Sequence, residues 1–341
     1  YGPTAGYPPL IKTIGNLLKT KGLPVDSNKI LITTGSLQAI SIITQEFINE
    51  GDIILAESPC FVGALTVFET YGAKVIGIPI DKHGIDIKAL KETIKSLNRT
   101  PKFLYVTPNY HNPAGIIYSP QRKKELLQTL SKTGIILLED DAYNDLYFNE
   151  KEKQLTKPMK SYNIPDVDII YTGSFSKILG PGFRLGYMLS SYEIFEKAET
   201  IKQALDACTS NFMQILANEF VVQGKLQPYL EFLRKEYLER KNLIQKSLEE
   251  HMPKEITWNE PKGGFYVWLK LPEYINSSDV FNESVKEGVV FVTGRTFDPA
   301  STKDDRLRLS FSNMPKDTIE KGVKILAKAI QELLKNNKQK V

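Results

Sequence analysis

The chain has 341 residues, of which 41% are apolar and 25% are charged, proportions that are usual for a soluble globular protein. Its formal net charge is only +4, from 44 basic and 40 acidic residues, which argues against a nucleic-acid-binding protein and a membrane-surface protein. Two cysteines and three histidines without metal-ligand spacing argue against a disulfide framework and a zinc site, and favour a reducing compartment such as the cytoplasm.

The N-terminal end shows neither a methionine nor a signal-peptide pattern, since the first residue is Tyr1. We therefore expect the chain to be part of a longer protein. No apolar run reaches the roughly 20 residues that a membrane-spanning helix requires, so we expect no membrane partner.

Short apolar runs rich in Ile, Leu and Val then alternate with amphipathic segments. Segments such as 37–49 and 119–133 predict helices. The runs predict strands over residues 29–34, 52–57, 74–80, 102–108, 134–140 and 168–174. Strand–helix alternation of this kind predicts a mostly parallel sheet that is covered on both faces.

The pattern changes after about residue 220. A charged helical stretch covers 227–251, strands follow within TWNEPKGGFYVWLKL, GVVFVTG and RLRLSFS, and a final helix covers about 316 to 336. We therefore predict a large domain over residues 7–220, followed by a linking helix and a smaller α+β domain over residues 221–341. Residues 1–6 are predicted to be the remnant of an N-terminal arm.

Polar clusters follow four of the predicted strands. They are Thr34-Gly35-Ser36, Pro108-Asn109, Glu139-Asp140-Asp141 and the run from Gly173 to Lys177. Ligands of open α/β sheets bind at the carboxyl ends of the strands, so we expect these clusters to meet at one edge of the sheet.

The first and third clusters each allow two interpretations. The Gly-Ser turn before a helix can bind an anion through backbone N–H groups, but the pattern taken alone favours Ser36 as a simple helix N-cap. Asp140 and Asp141 follow a strand of large aliphatic residues directly. A buried carboxylate needs a cationic or hydrogen-bonding partner, and a protonated ring nitrogen is one such partner. Acids at a helix start are the alternative.

Lys177, Asn112 and Arg308 are also ambiguous when each is taken alone. A lysine between hydroxyls at a strand end is either solvated or partly desolvated, and the desolvated amine is a nucleophile. Asn112 lies in the turn NYHNPAG, where it can be a simple turn former. Arg308 alternates with apolar residues on a strand, so it is either a solvated edge charge or a clamp for a carboxylate.

Together these clusters resemble the fold-type-I pyridoxal-phosphate aminotransferases, in particular the branch of 2-aminoadipate and kynurenine aminotransferases. The shared motifs occur in the family's order over nearly the whole chain: YGPTAGYPPL, ITTGSLQAI, HNPAG, EDDAYNDLYF, GSFSKILGPGFRLGY, PKGGFYVWL and LRLSFS. The resemblance implies the α/β fold of aspartate aminotransferase, with a mostly parallel seven-stranded sheet in the large domain and a smaller α+β C-terminal domain.

The resemblance also implies the roles of five residues around the cofactor ring and the substrate. Lys177 matches the lysine that links covalently to the cofactor and later moves the substrate proton, and Asp140 matches the carboxylate that pairs with the pyridinium nitrogen. Tyr143 and Asn112 match groups that hydrogen-bond the ring 3-oxygen. Arg308 matches the arginine that binds the substrate carboxylate, next to Asn112.

Further matches concern the cofactor phosphate and the ring face. The family's phosphate-binding residues are matched by Gly35, Ser36, Ser174, Ser176 and Arg184. Phe61 takes the position of an aromatic ring that stacks on the cofactor. Tyr1 matches a tyrosine that reaches the phosphate of the neighbouring subunit, so the resemblance implies a homodimer with shared active sites.

Three positions depart from the family pattern. Leu37 replaces a common glutamine, which implies the loss of one phosphate contact. Phe61 replaces a tyrosine and keeps the ring without the hydroxyl. Ala114 replaces the threonine of an N-P-T-G turn.

The resemblance predicts a transaminase that works by a ping-pong cycle. The donor is 2-aminoadipate, glutamate or a large apolar or aromatic amino acid, and the acceptor is a 2-oxo acid such as 2-oxoglutarate. A ligand-sensing half of a transcription regulator is one alternative, and a winged-helix segment upstream would favour it. A lyase or decarboxylase on the same scaffold is another, and it would release ammonia or carbon dioxide.

Overall fold

The computed structural model describes residues 1–23, 25, 29–162 and 164–338. Within these residues the chain forms two β-sheets with α-helices packed around them. The helices are α1 (Pro8–Thr20), α2 (Ser36–Phe47), α3 (Val62–Thr70), α4 (Ile87–Ser96), α5 (Pro120–Leu130), α6 (Glu150–Leu155), α7 (Tyr192–Asp206), α8 (Asn211–Val222), α9 (Leu226–His251), α10 (Ser277–Ser284) and α11 (Lys316–Lys338).

The large sheet contains all six strands predicted before residue 175 and two more. Its members are β1 (Ile30–Thr33), β2 (Ile53–Ser58), β3 (Lys74–Asp81), β4 (Gly84–Ile85), β5 (Phe103–Val106), β6 (Ile136–Asp140), β7 (Ile169–Ser174) and β8 (Gly186–Leu189). In the described residues their order is β1-β8-β7-β6-β5-β2-β3-β4, one strand more than the resemblance implied. The extra strand is the two-residue β4.

Four consecutive strand pairs of the large sheet are parallel: β3 with β2, β2 with β5, β5 with β6, and β6 with β7. These five strands therefore end at the same edge. β8 returns antiparallel to β7, and β1 is antiparallel to β8. The prediction of a mostly parallel α/β sheet is confirmed, and the antiparallel return explains why residues 175–185 form a turn at that edge.

Both faces of the large sheet are covered, as its continuous apolar strands predict. In the central strand β5, Phe103 and Tyr105 pack into one cluster with α2 and α3, whereas Leu104 and Val106 pack into another with α4 and α5. This division follows from the alternation of side chains along a strand.

The small sheet is antiparallel, with the order β11-β12-β10-β9 in the described residues. Its strands are β9 (Thr257–Trp258), β10 (Tyr266–Lys270), β11 (Val292–Thr293) and β12 (Arg306–Ser310). Leu307 and Leu309 are buried, while Arg306 and Arg308 lie on the other face and are partly exposed. The alternation predicted for this strand is therefore confirmed.

The long helix α9 and the final helix α11 pack together beside the small sheet. The proposed domain boundary at residue 220 lies in the last turn of α8, shortly before α9 begins. One hydrophobic cluster joins Tyr171 and Leu189 of the large sheet to Val267 and Leu307 of the small sheet. The division into two domains remains a prediction.

None of the described helices combines the length with the apolar composition that a crossing of the bilayer requires.

Candidate active site

One cavity of about 310 Å³ brings together most of the residues that the sequence singled out. It lies where β6 and β7 end and where α2 and α3 begin. Ten predicted residues line it: Ser36, Phe61, Asn112, Asp140, Tyr143, Ser174, Ser176, Lys177, Arg184 and Arg308. The strand ends of the large sheet therefore do converge, as the position of ligands in open α/β sheets predicts.

Lys177 lies in the turn between β7 and β8 and is largely removed from solvent. Its Nζ atom lies 5.7 Å from the ring centre of Tyr143 and 5.8 Å from that of Phe265. Burial lowers the pKa of Lys177 below its usual value, and the nearby cations Arg308 and Arg184 lower it further, while Asp140 opposes them. The ambiguity over this lysine is thus resolved in favour of the desolvated amine.

Asp140 is the last residue of β6 and is only 4% exposed. Its Oδ2 atom accepts a hydrogen bond of 2.7 Å from the Tyr105 hydroxyl, and its Oδ1 atom accepts one of 3.1 Å from the Thr172 hydroxyl. Burial raises the pKa of Asp140 to about 6, although both hydrogen bonds act in the opposite direction. A carboxylate held by two neutral donors in this way is favourably placed to accept a cationic partner.

The start of α2 forms the third side of the cavity. Gly35 precedes the helix with φ of 83°, and α2 begins without a side-chain cap among the described residues, so its first N–H groups are available to a ligand. The guanidinium of Arg184 lies nearby, 3.4 Å from the Thr34 carbonyl and 3.5 Å from the Ser176 hydroxyl. A side chain at Gly35 would place its Cβ 2.8 Å from Arg184 Nη2. This concentration of donors and positive charge suits an anion.

Arg308 closes the cavity from β12 of the small sheet. Its Nη1 atom donates a hydrogen bond of 2.6 Å to Asn112 Oδ1, and its guanidinium lies 4.2 Å from the ring centre of Tyr266 and 5.0 Å from that of Phe297. Its buried Nε atom has no hydrogen-bond partner among the described residues. A stacked guanidinium with an unused N–H is a suitable binding group for a carboxylate.

The sequence did not identify several residues that shape the cavity. Tyr266 lines it, and its hydroxyl lies 3.3 Å from that of Tyr143. Tyr105 and Thr172 hold Asp140, and Phe297 packs on Arg308. The alternation of β10 was the available sequence signal for Tyr266. The partners of Asp140 lie on the neighbouring strands β5 and β7 and had no local signal.

Two predicted residues do not line the cavity. Gly35 lies directly before Ser36 at its edge, where it allows the close approach of Arg184. Tyr1 is fully exposed. Its predicted role involves a neighbouring subunit, so that role remains a prediction.

The family profile described as "Aminotransferase class I and II" matches residues 1–326 of this chain. The chain belongs to this family. This aminotransferase is 34% identical over 335 residues to a 2-aminoadipate transaminase of Thermus thermophilus, an alignment that covers 98% of this chain and 82% of that protein. The predicted family and its predicted branch are thereby confirmed.

A solved structure supports the same conclusion. Kynurenine aminotransferase of Pyrococcus horikoshii, solved in complex with PMP, superposes on this aminotransferase with a TM-score of 0.93 at 36% identity, covering 98% of this chain and 82% of that one. The transcriptional regulator YdfD of Bacillus subtilis is 32% identical over 98% of this chain, which covers 67% of the regulator.

The cofactor of this transaminase is pyridoxal phosphate, and the cavity fits that group. Asp140 offers a buried anionic oxygen to the ring nitrogen, the uncapped start of α2 with Arg184 offers donors to the phosphate, and Lys177 offers a desolvated amine to the aldehyde. When bound, pyridoxal phosphate withdraws electrons from the carbon that carries the substrate's amino group. The predicted cofactor is therefore confirmed.

Proposed function

We propose that this transaminase moves the amino group of 2-aminoadipate, glutamate or a large apolar or aromatic L-amino acid to a 2-oxo acid such as 2-oxoglutarate. It does so by a ping-pong cycle, in which the first product leaves before the second substrate binds. The observation that carries the proposal is the meeting of Lys177, Asp140 and Arg308 in one cavity.

Lys177 is the general base and acid of this proposal. Because burial and two nearby arginines lower its pKa, a larger fraction of its amine is neutral at physiological pH than in an exposed lysine. With the cofactor and substrate bound, the neutral Nζ atom would take up the proton from the substrate's α-carbon and hold it for return. Lys177 thus performs both proton transfers from one position.

Asp140 keeps the ring nitrogen protonated. Burial raises the pKa of its carboxyl. Among the described residues its hydrogen-bond donors are two neutral hydroxyls, so a ring N–H⁺ would supply the cationic partner. Tyr105 and Thr172 fix both oxygens, so the carboxylate does not need to reorganise when the ring binds. Tyr143 and Asn112 are the proposed partners of the ring 3-oxygen, and Phe61 is the proposed stacking residue.

Arg308 binds the substrate carboxylate, with Asn112 beside it. The side chains Leu37, Val62 and Ala142 also line the cavity, and they give it an apolar part that suits a large apolar or aromatic donor. The substrates for which the similar enzymes are named, 2-aminoadipate and kynurenine, support this choice of donors.

The cofactor phosphate is bound by Gly35, Ser36, Ser174, Ser176 and Arg184, with Tyr1 of a second copy of the chain completing the set. A homodimer with shared sites is consistent with the exposed apolar side chains of α7 and α8, namely Leu205, Phe212, Leu216 and Val222. The cellular location that we propose is the cytoplasm.

A ligand-sensing role is the second candidate, because the regulator YdfD matches this chain over almost its whole length. Such a sensor would bind pyridoxal phosphate and an amino acid without efficient turnover. The two candidates therefore differ in the rate of amino transfer, not in the cavity.

A half-reaction screen tests the proposal. The cofactor-loaded protein is mixed with each amino acid while the bound cofactor's absorption is followed, and 2-oxoglutarate is then added and glutamate is measured. We expect one or more donors to shift the spectrum and to yield glutamate. Binding without turnover would support the sensor, and release of ammonia or carbon dioxide would support a lyase or decarboxylase.

A further inference from the structure

Two completely buried polar side chains lie next to the cavity without lining it. They are Glu57, near the end of β2, and His111, the residue before Asn112. Burial of a carboxylate and an imidazole is costly unless each finds partners. Their contacts therefore indicate what they do.

The Glu57 carboxylate is directed at both ends of the turn that carries Asn112. Its Oε2 atom accepts a 2.8 Å hydrogen bond from the Thr107 N–H, and its Oε1 atom accepts a 2.5 Å hydrogen bond from the Tyr118 hydroxyl. His111 Nε2 lies 3.1 Å from Oε2. This approach is a close electrostatic contact rather than a hydrogen bond of good geometry, and Nε2 has no hydrogen-bond partner among the described residues.

The other ring nitrogen of His111 fixes the proton position. Nδ1 accepts a 3.1 Å hydrogen bond from the Ala114 N–H, so Nδ1 carries a lone pair. The proton of the neutral ring therefore lies on Nε2 and faces the Glu57 carboxylate, where the opposite assignment would place a lone pair against a carboxylate oxygen.

His111 thus links the sheet to the turn, and the turn holds Asn112. The turn is closed by hydrogen bonds from Gly115 N to His111 O, at 2.6 Å, and from His111 N to Ile116 O, at 2.9 Å. Asn112 Oδ1 in turn accepts the 2.6 Å hydrogen bond from Arg308. A shift of the imidazole would therefore move the turn and change the position at which Asn112 meets Arg308.

We propose that Glu57 and His111 are positioning residues that set Asn112, and through it Arg308, for binding of the substrate carboxylate. This inference rests on the proposed function of Arg308. It assigns no contact with the substrate or the cofactor to either residue.

Variants of both residues test the inference in the cofactor-loaded protein. The first measurement is calorimetric binding of carboxylates that lack an amino group, namely butanoate, 4-methylpentanoate, 3-phenylpropanoate and glutarate. For His111→Ala we expect about tenfold weaker binding of the carboxylate that the unchanged protein binds best. The KM of the best donor rises by a similar factor while kcat changes little, because the lysine and the carboxylate of the large sheet are untouched.

Glu57→Gln and His111→Gln separate positioning from simple loss of stability. Glutamine at 57 has one acceptor oxygen, whereas the carboxylate accepts from the Thr107 N–H and the Tyr118 hydroxyl through two different oxygens, so we expect binding to weaken. Glutamine at 111 can accept from Ala114 through its carbonyl and donate to Glu57 through its amide, so we expect binding within about threefold of the unchanged protein.

Leu326→Ala is the matched control, because this buried residue on α11 is neither in the cavity nor in the turn. We expect it to lower the melting temperature without changing carboxylate binding. The inference is wrong if His111→Ala weakens binding no more than Leu326→Ala at comparable loss of stability. It is also wrong if no carboxylate binds to the unchanged protein. Since these measurements need no turnover, failure of the transaminase proposal is seen separately, in the half-reaction screen.

Discussion

The two sides of the cavity are built differently. On the large-sheet side, Asp140 ends β6 and Lys177 follows β7 within three residues, so parallel pairing alone brings both to one edge. On the small-sheet side, Arg308 lies in the middle of β12, and its position depends on a hydrogen bond to Asn112 and on two aromatic rings. Backbone topology fixes the first side, and packing between two sheets fixes the second.

This difference separates chemistry from recognition. The large-sheet side holds the groups with shifted pKa values, because the covered sheet removes them from water. The small-sheet side holds Arg308, the group that we propose binds the substrate carboxylate. We therefore expect changes of Lys177 and Asp140 to reduce kcat, and changes of Arg308 or of the residues that position it to raise KM.

The largest effect is expected for Lys177→Ala. Loss of the amine removes both the proposed link to the cofactor and the proposed proton carrier, so we expect kcat to fall by at least about 10⁴-fold. The fall in kcat is measured as turnover of the best donor with 2-oxoglutarate. Loss of the link to the cofactor is measured from the absorption of the bound cofactor. The control is Lys88→Ala, which removes an exposed lysine of α4. Normal turnover by the Lys177 variant would contradict the assignment of Lys177 as the general base.

A smaller effect, and on KM rather than kcat, is expected for Arg308→Lys. Lysine cannot form the paired hydrogen bonds of a guanidinium or stack on Tyr266 in the same way, so we expect KM to rise by about 10- to 100-fold. Arg306→Lys, two residues away on the same face of β12, should leave KM unchanged. Equal effects of the two changes would mean that Arg308 does not bind the substrate carboxylate.

The buried acid of the large-sheet side gives a pH-dependent prediction for the protein without cofactor. The pKa of Asp140 rises from 3.8 to about 6 on folding, so the folded state binds the proton more tightly than the unfolded state. Its contribution to stability is therefore complete below about pH 4 and is lost as the pH rises to about 6, by about 2–3 kcal/mol.

Asp140→Asn removes this titration while it keeps the side chain's size. Between pH 4 and pH 6 we expect the unchanged protein to lose unfolding free energy relative to the variant. Above pH 6 the difference between the two proteins should stay constant. Denaturant unfolding of both apoproteins at each pH measures the difference. A difference that does not vary with pH would show that the carboxyl is not desolvated.

The smallest effect is expected at the phosphate end for Leu37→Gln. Leu37 lines the cavity at the start of α2, at a position where the family resemblance implies a glutamine, so a new amide donor should strengthen cofactor binding about three- to tenfold. Equilibrium binding of pyridoxal phosphate to the apoprotein measures the change. Leu37→Ala is the control for loss of the leucine itself, and weaker binding by the glutamine variant would place the phosphate elsewhere.

The large-sheet side was almost fully predictable from the sequence. Apolar runs identified β6 and β7, and the polar residues that follow them identified Asp140, Ser174, Ser176 and Lys177 as neighbours. The antiparallel strands β4 and β8 were less visible, because β4 has only two residues and β8 follows a turn rich in glycine. The small-sheet side was predicted only in part, through the resemblance that pointed to Arg308.

The sequence by itself determined most of the strands, several of the helices and the order of chemical groups along the chain, because apolar periodicity and turn residues act over short distances. Only the tertiary structure decided how strongly Lys177 and Asp140 are desolvated, which hydroxyls hold Asp140, and that His111 and Glu57 support the turn of Asn112. Those properties depend on residues far apart in the chain that meet only when the sheets and their covering helices pack together.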